Sequence, residues 1–149
     1  MLALVRPDGW NLPLFLHVLG AMLAFGSIAT VAIVGFAGHR AEGERALWLR
    51  RLDFRIALFA LVPAWLVMRI AAQWIDGKEF PDGNEPGWVG VGFLVSDIGA
   101  LLIVVLLVVA WLARRSAESR IAIVVPWLAT LYALALGGAW FAMSAKPGG

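Results

Sequence analysis

Cysteine is absent from the 149 residues, so the chain has no disulfide framework, no thiolate metal site and no thiol nucleophile. Histidine is nearly absent, with only His17 and His39. Charge is scarce: Asp, Glu, Lys and Arg make up 15% of the chain, against about a quarter of an ordinary soluble domain. There is no alternating strand pattern, and so no glycine-rich phosphate loop between a strand and a helix. What is abundant is apolar: 62% of the residues are hydrophobic and the mean hydropathy is +0.86. These values describe a membrane protein. The length suits one domain of four spanning helices, each needing about 20 apolar residues, and leaves no room for a soluble domain.

The pI of 9.7 invites a nucleic-acid partner, but the distribution of the basic residues argues against one. Arg40, Arg45, Arg50, Arg51, Arg55, Arg114, Arg115 and Arg120 fall in two short connecting segments, the positive-inside pattern of membrane topology. The lipid bilayer is therefore the expected partner, and nucleic acid is not.

In chain order, residues 1–11 form a short polar lead containing Pro7, Gly9 and the interfacial residue Trp10. The expected spans are about 12–37, 56–75, 88–113 and 121–143. The first is a retained helix rather than a signal peptide, because its apolar run exceeds a signal core and Asp8 offsets the one preceding base, Arg6. Residues 38–55 are charged but rich in helix formers, which predicts a short surface helix entering span two. Its arginines read first as topological anchors. Pro63 and Pro126 should bend spans two and four. Residues 76–87, DGKEFPDGNEPG, form an acidic loop. Basic connections inside and an acidic one outside put both termini outside, in a multi-pass protein of a bacterial inner membrane. Trp10, Trp74, Trp88 and Trp140 then form an outer aromatic belt, with Trp48 and Trp111 near the inner surface. RIALFALVPAW at residues 55–65 and RIAIVVPW at 120–127 suggest a duplicated helical hairpin.

Three spans each carry one ionisable residue in the same layer. Counted inward from the belt, His17 lies about 8 Å deep, Arg69 about 9 Å and Asp97 about 12 Å. Arg69 stands four residues before Gln73, making a polar stripe toward the acidic loop. His17 shares a face with Gly20, Ala24 and Ser27, which permit close helix approach. Tyr132 follows Pro126 where the repeat would place the counterpart of Arg69. The expected polar centre is thus His17, Arg69, Gln73, Asp97 and Tyr132. It reads in two ways. One is a structural Arg69–Asp97 pair that fixes spans two and three, since intramembrane charges usually pair. The other is a pocket for a small ligand, an ion or a haem propionate, because the arginine fork matches a carboxylate. No metal set is complete, since His39 is at the opposite surface from His17. No catalytic residue emerges either: neither Ser27 nor Ser96 has a histidine placed to activate it.

LPLFLHVLGAMLAFGSIATVAIVG, residues 12–35, resembles the first span of small bacterial four-helix membrane proteins, including the CopD-type copper-resistance domain; Leu16 to Gly20 carry the likeness. More distantly, the chain resembles the HemJ type of protoporphyrinogen oxidase in its length, its early-span histidine (His17), the RRLDFR run at Arg50 to Arg55 followed by Pro63, and Lys146–Pro147 near the end. That second resemblance implies His17 as a possible haem ligand. The family's further histidine on span three has no counterpart, Asp97 being the only ionisable residue in that span. The expectation is a non-enzymatic small-ligand-binding or accessory membrane component, able to self-associate or to join a membrane-protein partner. The alternatives are a haem-linked redox protein and an ion or proton transporter.

Overall fold

Apolar runs of this length leave the backbone only one local solution, since in hydrocarbon a helix satisfies its own N–H and C=O groups. The computed structural model describes Gly9 and residues 11–145; the expected belt residue Trp10 and the Lys146–Pro147 pair lie outside the described residues. Within them the chain is helical, without strands. Helix α1 spans Asn11–Arg40, α2 Gly43–Ile56, α3 Val62–Glu79, α4 Gly87–Ala113 and α5 Val124–Ala145. Four helical segments are long and apolar enough to cross a membrane: Asn11–Arg40, Gly43–Glu79, Gly87–Ala113 and Arg120–Ala145.

The expected helix forms as α2 and enters the second of these segments without a break. A five-residue π-helical turn, Ala57–Leu61, joins it to α3 in one 37-residue helix. The cause is Pro63, which has no N–H and whose ring crowds the carbonyl four residues earlier, so the helix widens just before it. Pro126 is preceded instead by a tighter 3-10 turn, Arg120–Ile123. Helix α3 also runs on to Glu79, so Asp76 to Glu79, expected in the acidic loop, are helical and the loop is correspondingly shorter. The reversal between α1 and α2 turns on Gly43, whose φ of 57° is costly for a residue with a Cβ.

Helix α1 is the centre of the arrangement, packed on α3, α5 and α2, while α4 packs on α5. At the arginine-rich end, α2 and the π turn also meet α4; at the acidic-loop end, α3 and α4 hardly touch. The interior is built from small residues. Ala24, Ala57, Ala64, Ala110 and Ala129 are buried around Ile28, Val31, Leu61, Leu106 and Tyr132. In lipid no hydrophobic force drives apolar helices together, so close backbone packing must hold them. Gly20 shows how close that packing is: a Cβ there would stand 2.6 Å from the Met68 nitrogen and 3.1 Å from the Ala64 carbonyl oxygen. The perimeter carries the large apolar side chains, Phe15, Met22, Ile33, Phe59, Ile70, Leu101, Leu134 and Phe141 among them.

Candidate functional site

Where α3 and α4 diverge, the gap between them is bridged by side chains. Arg69 Nε donates to Asp97 Oδ1 at 3.1 Å, and Arg69 Nη2 lies 3.1 Å from the same oxygen. Arg69 Nη1 donates to Gln73 Oε1 at 2.9 Å, and the guanidinium sits over the Phe93 ring, 4.6 Å from its centroid. The spacing explains the set: Gln73 is one helical turn from Arg69 on α3, and Phe93 is one turn from Asp97 on α4. The guanidinium fork, expected to receive a carboxylate or propionate, is thus occupied from within. The group left over is on the other side of the pair. Both contacts to Asp97 use Oδ1, and Oδ2 makes no hydrogen bond among the described residues. The Asp97 side chain is 61% exposed, the Arg69 side chain 21%.

His17 and Tyr132 stand near this pair without joining its bonds. His17 Nδ1 lies 3.0 Å from the Met68 carbonyl oxygen. A carbonyl only accepts, so Nδ1 is the donor in this contact. This contact depends on Gly20, which brings α1 against the backbone of α3 one turn away. Tyr132 is 1% exposed, packed beside Trp65 and filling the space that the missing side chain of Gly99 leaves on α4. Its hydroxyl and the Trp65 indole nitrogen are both buried without a hydrogen bond of good geometry. Tyr132 is therefore an apolar-packed floor one turn below the ion pair rather than a member of it.

The arginine-rich end holds two residues that sequence reasoning missed. Arg50, expected among the topological anchors, and Asp53, given no role, are 8% and 4% exposed. Arg50 Nη1 donates to the Ser116 carbonyl across the bundle, while Arg50 Nε and Asp53 Oδ1 are buried without partners. Asp53 sits against Gly35, where a Cβ would come within 3.1 Å of its Oδ2 and 3.0 Å of the Pro126 ring. A cavity of about 10 Å³, the scale of one water molecule, lies between Arg50, Asp53, Gly35 and Ala110. A signal was present in the spacing. Ala46, Arg50, Asp53, Ala57, Leu61, Ala64, Met68 and Ala71 are all buried, at intervals of three and four, so the two charges continue the buried stripe of α3.

Among the described residues, no three His, Asp or Glu side chains come together to hold a metal ion. No protein-family model, no curated protein and no solved structure matches this chain.

Proposed function

We propose that the chain is a non-enzymatic, multi-pass component of a bacterial inner membrane, with the arginine-rich end inside and the acidic loop and both termini outside. Its polar centre, His17, Arg69, Gln73 and Asp97, receives a hydrogen-bond donor from a small ligand or from a partner protein. The observation that carries this reading is Asp97, 61% exposed on a helix whose neighbouring exposed residues are Leu94, Ile98 and Leu101. Asp97 lies ten residues into α4, about 15 Å along the helix axis. A carboxylate facing hydrocarbon at such a depth costs about 2.5 to 3.5 kcal/mol on insertion scales, and a polar group brought to Oδ2 offsets that cost. The chemistry sought is an amine, a hydroxyl or an amide, from a free ligand, a second copy of the chain or another membrane protein. The RIALFALVPAW and RIAIVVPW segments, each with an irregular turn before its proline, are read here as traces of a duplicated hairpin.

Native mass spectrometry of the protein released from membranes in mild detergent tests this reading. The wild-type protein should carry a bound ligand or companion chain that Asp97→Asn and Arg69→Ala lose while eluting as folded species. Identical retention by all three would end it.

One observation favours a haem-linked alternative. With Nδ1 donating to the Met68 carbonyl, His17 presents Nε2 in the way that ligating histidines do. The fit stops there: α4 supplies no second imidazole, and the Arg69 fork expected to hold a propionate is engaged by Asp97 and Gln73. An absorbance scan after haem-replete expression decides the matter. A Soret band lost in His17→Ala supports haem, and a featureless spectrum removes it.

A further inference from the structure

We infer that the arginine-rich end carries a phosphate-binding site, built from Arg51 and Arg55 of α2 with Arg114 and Arg115 just beyond α4. These four side chains line a cleft of about 360 Å³, within the range of about 300 to 1,000 Å³ typical of small-molecule sites. Topological anchoring asks only for positive charge near the membrane surface. Here the charges converge from two elements that the fold brings together, and among the described residues no carboxylate lies within ion-pair distance of any of them.

Two of the four are held in place rather than left free to splay apart. The Arg114 guanidinium sits over the Phe54 ring at 4.3 Å, and that of Arg115 over the Trp111 ring at 3.6 Å. Cations that repel one another gain by separating, so stacking two of them at the rim keeps an unfavourable cluster assembled until an anion enters. Proximity to the C-terminus of α4 accounts for one or two cations but not for four. An arginine fork binds phosphate oxygens in pairs, and four forks match two phosphate groups better than one. The ligand class is therefore an anion bearing two phosphate groups. Its source is a two-phosphate lipid headgroup or a free diphosphate, and the position of the cleft, where the apolar part of α4 ends beside Trp111, suits the lipid.

The test uses the full chain in dodecyl maltoside, with diphosphatidylglycerol, phosphatidylglycerol and phosphatidylcholine as lipid probes and pyrophosphate as the soluble probe. Native mass spectrometry should show diphosphatidylglycerol retained in preference to the other two lipids. Arg51→Gln/Arg55→Gln and Arg114→Gln/Arg115→Gln should each weaken it about thirty-fold, the equivalent of about 2 kcal/mol for two arginines near a membrane surface. Arg114→Lys/Arg115→Lys keeps the charge and the topology and should still lose the preference for two phosphates. If pyrophosphate raises the thermal midpoint while the lipids are not discriminated, the ligand is the free diphosphate. The single variants Arg51→Gln and Arg55→Gln, at exposed positions, stand in if a double variant misfolds. Equal retention of all three lipids with no response to pyrophosphate would overturn the site. So would binding that the folded variants leave unchanged.

Discussion

The molecule holds two arginine–aspartate sets, one toward each end, and they are opposites. Toward the acidic-loop end, Arg69 and Asp97 are paired at 3.1 Å and partly exposed; at the other end, Arg50 and Asp53 are buried and form no ion pair with each other. The difference comes from the helices. Where α1, α2 and α4 close together, glycine and alanine leave no room for side chains to reorient, and the charges stay where the helix face puts them. Where α3 and α4 diverge, long side chains can reach across and find each other. Burial and pairing are therefore separate properties here, and a polar group inside a bundle is not automatically a satisfied one.

The sharpest way to break this contrast is to disturb the helix contact at the acidic-loop end. Gly20→Ala would put a methyl group against the Met68 and Ala64 backbone, which cannot rotate away, and should cost about 3 kcal/mol in detergent unfolding. A midpoint equal to wild type would mean that α1 and α3 are less tightly joined than described. At the opposite end, Arg50→Ala removes a charge-assisted bond to the Ser116 carbonyl and should cost about 2 kcal/mol, seen as a lower thermal midpoint. Asp97→Asn, by contrast, keeps an oxygen acceptor for Arg69 while removing a charge that faces hydrocarbon, so it should cost less than about 1 kcal/mol while abolishing ligand or partner retention. Were Asp97→Asn more destabilising than Arg50→Ala, the assignment of structural weight to one end and binding to the other would be reversed. The smallest effect belongs to Tyr132→Phe. Its buried hydroxyl has no hydrogen bond of good geometry, so losing it should leave the midpoint unchanged or slightly raised. A clear drop would reveal a bond to Trp65.

How much could be read beforehand varied with the kind of signal. Arg69 and Asp97 were legible as neighbours because depth along a membrane helix follows from residue counting, and their spans are interrupted by little else that is charged. The roles inside that layer were only partly legible. The Arg69–Asp97 pair was one of two readings, but the sequence did not choose between them, nor say that Gln73 takes the rest of the fork, that His17 turns to a backbone carbonyl, or that Tyr132 fills the space over Gly99. Arg50 and Asp53 were missed for a different reason. RRLDFR is charged enough to look like a surface segment, and only the three-and-four spacing from Ala46 through Leu61 distinguishes its buried face from the face bearing Arg51 and Arg55.

The sequence by itself determined that the chain is helical, that four segments are long and apolar enough to cross a membrane, and where the charges cluster along it. Hydropathy and the need to satisfy backbone groups in lipid act locally, so composition suffices. The tertiary structure alone decided which faces meet. That choice depends on how closely backbones approach at Gly20, Gly35 and Gly99, and on where proline widens or tightens a helix, neither of which the hydropathy of a single segment records. The consequence is the division of one charged run into two faces, one burying Arg50 and Asp53 and the other lining a cleft with Arg51 and Arg55.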